Sequence, residues 1–174
     1  MFCNYLSNSK ADTFKQCPLK FRFQYVDKYV GDATPSQGAL DFGNLIHKVF
    51  EEGVHCKTVD GLWSLVEEHR GTYNISETVS NNNRIKKCLV NFLRLNASLE
   101  ETVGTEWGFK TPIMDGAVYA GYVDRIIKGR AGGYLIIDYK TGKREKTKIE
   151  LYNDDQLKGY AWDRDWETDR KSVV

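Results

Sequence analysis

Apolar residues recur at helical spacing through the first half of the chain, and after Gly104 the period changes. From 39 to 52, Phe42, Leu45, Ile46, Val49 and Phe50 form one stripe of an amphipathic helix, and Gly53 is placed to end it. The same spacing predicts helices over 59–70 and 83–101, the second burying Ile85, Leu89, Phe92, Leu93 and Leu99. Nearer the N-terminus, Ser7 and Ser9 are candidate N-caps for a short helix over 10–16. Pro18 interrupts or restarts that helix, and a second carries Phe21, Tyr25 and Val26 to about Tyr29. Turn formers fill 31–38.

Beyond Gly104 the runs 105–114, 118–128 and 134–140 are short and rich in β-branched or aromatic residues. Asp115-Gly116 and Gly132-Gly133 punctuate them as hairpin turns would, which predicts three consecutive antiparallel strands. A helix over 151–162 follows. Helices, a three-stranded meander and a further helix predict an α/β or α+β domain with helices packed on one sheet. Residues 1–101 are then mainly helical and 103–140 form the strands, in one domain spanning 1–166.

Composition narrows the class. With 41% hydrophobic and 28% charged residues, the chain has the balance of a globular domain rather than a disordered one. A net charge of +1 excludes a broadly cationic surface but leaves room for a local basic groove. No apolar run approaches the roughly 18 residues needed to span a bilayer. The first residues lack a basic segment followed by an apolar one. The expected location is the cytoplasm of a microbe or of a virus-infected host cell. Cys3, Cys17, Cys56 and Cys88 are too scattered for a self-contained zinc site and read as free, partly buried thiols.

The chemistry gathers late in the chain. Asp138-Tyr139-Lys140 closes the run Tyr134-Leu135-Ile136-Ile137, and strand alternation points Asp138 and Lys140 together with Tyr139 away. Asp124 lies on the preceding strand in Gly121-Tyr122-Val123-Asp124-Arg125, near enough in a hairpin to approach Asp138. Two carboxylates and an ammonium at a strand end suit phosphodiester hydrolysis. The carboxylates hold Mg²⁺ or Mn²⁺, and the lysine stabilises negative charge or helps deprotonate water. Taken alone, Asp138 and Lys140 are better read as a surface ion pair at a strand end.

Their company is more specific. Gly43-x-x-x-His47, Gly121-x-x-Asp124, Ile136-Ile137-Asp138-Tyr139-Lys140-Thr141-Gly142 and Gln156-x-x-x-Tyr160 occur in that order. The sequence resembles the PD-(D/E)XK nuclease superfamily, and within it the RecB-like branch that includes CRISPR-associated exonucleases and phage homologues. The resemblance implies a restriction-endonuclease-like core and a Mg²⁺- or Mn²⁺-dependent deoxyribonuclease. Cleavage of single strands or DNA ends is expected before endonucleolytic cleavage. It further implies His47, Asp124, Asp138 and the backbone carbonyl of Tyr139 as metal ligands, with Asp124, Asp138 and Lys140 catalytic. Gln156 and Tyr160 would position substrate or order the site, and Glu106 would act behind the ligands or form a structural ion pair. Arg125 and Lys143 are candidate phosphate contacts, as are Arg144, Lys146 and Lys148, although charge runs in loops are usually merely solvated. Recombination, repair or CRISPR-adaptation proteins are possible partners. The rivals are a non-catalytic DNA-binding or assembly module of the same fold, and an inactive fragment.

Two features depart from the family pattern. Cys17 before Pro18 matches one ligand of the iron–sulfur cluster found in some members, but no cysteine follows Cys88 to supply the other three. Cys17 alone cannot hold a cluster, so a small buried thiol is the expectation, with a cluster left to a longer parent. Residues 169–174, Asp-Arg-Lys-Ser-Val-Val, resemble a translated sequencing adapter. The natural protein is therefore expected to continue past about Trp166, with 167–174 a non-native tail and the last core strand missing.

Overall fold

The computed structural model describes residues 5–29, 37–114, 116–130, 132–142 and 144–160. The proposed tail and Lys143 lie outside them, as does the end of the helix expected over 151–162.

The described residues open with a two-residue strand, β1 (Tyr5–Leu6), then helix α1 (Asn8–Gln16). Of the two candidate caps it is Ser7 that accepts the backbone N–H of Lys10. Cys17 is held extended, as a residue before proline must be, so the chain turns before α2 (Pro18–Phe21). The helix expected to reach Tyr29 stops there and relaxes into a π-helical turn, Arg22–Val26. Cys17 is exposed, and its sulfur accepts the N–H of Lys20 as the cap of α2. The expectation of a buried thiol is thereby corrected.

Three longer helices build the main core. They are α3 (Gln37–Glu52), α4 (Val59–Arg70) and α5 (Val79–Asn96). The stripe read from the sequence is the buried one: Leu45, Ile46 and Val49 of α3 meet Leu62 and Val66 of α4 and Ile85 and Leu89 of α5. Burial of this kind, at roughly 25 cal/mol per Å² of apolar surface, is the main force holding such helices in place. The α5 helix starts four residues earlier than its apolar stripe suggested, because Thr78 caps it through the N–H of Asn81. It also ends five residues sooner. The side chain of Asn96 turns aside to donate to the carbonyl of Val54 and to accept from Arg125.

The sheet follows: β2 (Thr102–Met114), β3 (Ala117–Lys128) and β4 (Tyr134–Ile137). Strand β3 is the hub. It pairs antiparallel with β2 along one edge; on the other, β4 pairs antiparallel with Arg125–Lys128 and β1 pairs parallel with Val118 and Tyr119. A two-residue strand carries no periodicity to read, so β1 emerges only in the fold. Alternate residues of β4 serve two cores: Leu135 and Ile137 pack with the three-helix cluster, and Ile136 with Val123, Ile126 and Tyr160. That double duty explains a continuous apolar run where a one-sided sheet would alternate.

The single helix expected over 151–162 is broken in two. Thr147 and Glu150 form a capping box for α6 (Lys148–Tyr152). The carboxylate of Asp154 then accepts the N–H groups of Gln156 and Leu157, which starts α7 (Asp155–Tyr160). Gly159 lets α7 lie close to β3, since a Cβ there would stand 2.3 Å from the hydroxyl oxygen of Tyr119. No helix among the described residues is long and apolar enough to cross a membrane.

Candidate active site

Strand register collects the acids. Thr105 pairs with Arg125 and Trp107 with Val123, which sets Glu106 opposite Asp124. Across the other edge, Arg125 pairs with Ile137, and one further step brings Asp138 level with Asp124. Glu106, Asp124 and Asp138 therefore stand in a row over three strands. Asp138, Tyr139 and Lys140 are not strand, as had been expected, but the exit from β4. The N–H of Tyr139 leaves the ladder and donates to Oδ2 of Asp124 at 2.5 Å.

Helix α3 supplies the fourth group. His47 places Nδ1 3.3 Å from Oδ1 of Asp124, and one donor atom from each of His47, Glu106 and Asp124 falls within 4.8 Å of the others. Gly43, one helical turn earlier, brings α3 against Thr141, whose hydroxyl lies 3.4 Å from where a Cβ would be.

Asp138 is held differently. Its side chain is only 6% exposed, and Oδ2 lies 2.5 Å from the ammonium of Lys140. Gln156 of α7 binds both partners, accepting from Lys140 at 2.9 Å and donating to Asp138 Oδ1 at 2.8 Å. The same amide nitrogen reaches the hydroxyl of Tyr160 at 2.6 Å, and that hydroxyl donates to the carbonyl of Tyr122 at 3.0 Å. The two residues one turn apart on α7 thus lock the aspartate and the lysine in one arrangement.

Electrostatics mark the cluster as short of positive charge. Burial pushes the Asp138 carboxyl up and Asp124 adds to this, with Lys140 only partly opposing. Glu106 is likewise raised by burial and then by Asp124. For His47, burial acts downward. The hydrogen bond to Asp124 and the charges of Asp124, Asp138 and Glu106 outweigh it, so its proton is held above the usual imidazole range. The Tyr160 hydroxyl, raised by burial and by Asp138, stays protonated. Hard oxygen donors with one imidazole, gathered at a partly buried point that favours bound protons, fit a divalent cation.

A profile of the PD-(D/E)XK nuclease superfamily matches residues 5–163. The chain belongs to that superfamily. Membership implies a metal-dependent nuclease with DNA as its substrate. A comparison with curated proteins finds no significant match.

Within this PD-(D/E)XK domain the residues singled out by sequence divide. His47, Glu106, Asp124, Asp138, Lys140, Gln156 and Tyr160 converge. Arg125 does not join them as a phosphate contact: it is 3% exposed, and its guanidinium donates to Thr102, Asn96 and the Tyr139 hydroxyl. Alternation along β3 turns it inward, and a guanidinium so occupied cannot reach a substrate. The Tyr139 ring is also buried, against Phe50 and Phe92, which leaves only its backbone for the site. Arg144 and Lys146 are held by Glu150 and Asp154.

Two clefts meet at Thr141. One, of about 620 Å³, opens over His47, Glu106 and Asp124. The other, of about 610 Å³, receives Asp138 and Lys140 together with Arg84 and Lys87 of α5. These last two belong to no motif, and only their spacing on the polar face of a helix is legible in the sequence.

Proposed function

We propose that this chain is a Mg²⁺- or Mn²⁺-dependent deoxyribonuclease of the RecB-like branch, working as an exonuclease on single strands or DNA ends. Chief support comes from Lys140, whose ammonium is fixed by Asp138 and Gln156 at the mouth of a basic cleft, beside the row of acids. The branch and the preference for ends rest on the string Ile136–Gly142 and its resemblance to RecB-like exonucleases.

Asp124, Asp138, His47 and the carbonyl of Tyr139 would hold the ion, with Glu106 close enough to share it or to orient water. A divalent ion held there would polarise a phosphoryl oxygen and make water more acidic. The residues of the chain do the rest. Lys140, held beside Asp138 and Gln156, would donate to charge developing on the phosphate. Gln156 would keep the ammonium aimed, and Tyr160 fixes Gln156 in turn.

The test uses linear and circular DNA, single- and double-stranded, labelled at either end. Purified protein is incubated with Mn²⁺ or with chelator, beside Asp138→Ala and Lys140→Ala. The expected result is metal-dependent shortening of linear strands from an end, lost in both variants, with circles intact. Cleavage of circles would replace the exonuclease with an endonuclease. Equal activity in all three proteins would trace cleavage to a contaminant and refute the assignment. DNA binding without any cleavage would favour a non-catalytic module.

A further inference from the structure

The two clefts that meet at Thr141 differ in sign. Over His47, three carboxylates (Glu51, Glu106 and Asp124) face the one ammonium of Lys48, an environment for a cation. The other cleft is walled on one side by α5, where Arg84, Lys87 and Asn91 fall at i, i+3 and i+7 and share one exposed face. The Arg84 guanidinium lies 3.9 Å from the ring centroid of Phe42, which steadies the group while leaving its N–H donors free. Among the described residues neither Arg84 nor Lys87 has a carboxylate partner, whereas Arg144 and Lys146 across the cleft are both paired. Unpaired cations facing a cleft beside Asp138 and Lys140 are arranged for a polyanion.

We propose that this face of α5 grips the sugar–phosphate backbone of the DNA strand, so that the strand runs from the metal site through the α5 cleft. The proposal rests on the nuclease reading of the site and adds the path of its substrate. Arginine, lysine and asparagine are the usual donors to phosphate oxygens; they fix register without reading bases. With a net charge of only +1, the chain must concentrate such contacts locally. The α5 face is where it does so.

The experiment measures binding of a fluorescent oligothymidylate by anisotropy over a range of salt concentrations. Chelator is present throughout, so the readout does not depend on cleavage. Lys87→Glu is expected to weaken binding on the order of tenfold at low salt and to flatten the log–log salt slope by about 0.7, as loss of one single-strand phosphate contact does. Arg84→Gln is expected to lose less in the same direction. Lys57→Glu makes the same charge change at an exposed position outside both clefts, and should alter neither quantity. Equal losses from Lys87→Glu and Lys57→Glu would reduce the effect to net charge and overturn the proposal, as would no loss in either. Should Lys87→Glu fail to fold by its melting curve, Lys87→Gln and Arg84→Gln are compared with Lys57→Gln instead. Loss of binding in a protein that never cleaves would keep the α5 path and remove only the catalytic reading.

Discussion

Glu106 stands directly opposite Asp124 across the β2–β3 ladder, with its own backbone in the left-handed region at φ +45°. A glutamate at such an angle costs on the order of 1–3 kcal/mol, and it faces a like charge as well. Strain of this kind persists only where surrounding structure enforces it. Here it holds a third carboxylate beside His47 and Asp124.

Removing that charge should separate stability from function. Glu106→Gln is expected to raise the melting temperature of the metal-free protein, by about 1 kcal/mol or less in stability, because one of two facing carboxylates is gone. The same change should weaken Mn²⁺ binding, about tenfold for a group acting on or just behind the ligands. Differential scanning calorimetry with a metal titration reads both. Unchanged Mn²⁺ affinity would reduce Glu106 to a structural role.

The site's response to pH follows from its raised groups. His47, held above its ordinary 6.5, contributes stability that is complete below that value and is lost as pH rises through the folded pKa. Asp138 and Glu106 are acids raised in the fold, so their charged forms destabilise at neutral pH, and that penalty eases as pH falls through their folded values. All three therefore favour the metal-free protein in acid. A cation needs them deprotonated. The rise in melting temperature produced by Mn²⁺ should be largest near pH 8 and shrink steadily toward pH 5.5, on the order of the ordinary imidazole range and below. A shift that grows on acidification would place the metal elsewhere.

Arg125 offers the opposite contrast. Arg125→Ala leaves Asn96, Thr102 and the Tyr139 hydroxyl without a donor in the core, and should cost about 3 kcal/mol of stability. The salt slope of DNA binding by the folded variant should match that of the parent, since the buried guanidinium meets no phosphate. Urea denaturation and anisotropy check the two halves separately. A flatter salt slope would restore Arg125 as a substrate contact.

Local pattern carried much of this protein. The apolar stripe from Phe42 to Phe50 read correctly because period alone decides which side of a helix is buried. The motif residues His47, Asp124, Asp138, Lys140, Gln156 and Tyr160 could be listed for the same reason: chemistry at fixed spacing is written in one dimension. Their arrangement could not. The row from Glu106 through Asp124 to Asp138 exists because three strands pair in one register, and register depends on contacts between distant segments. Arg125 stands next to Asp124 in sequence, yet alternation and its partners on α5 and β2 turn it into the core. Arg84 and Lys87 reach the site only because α5 packs beside the end of β4. The sequence by itself determined which side chains could do chemistry; tertiary structure decided which of them meet, because strand pairing and helix packing fix distances that no spacing along the chain contains.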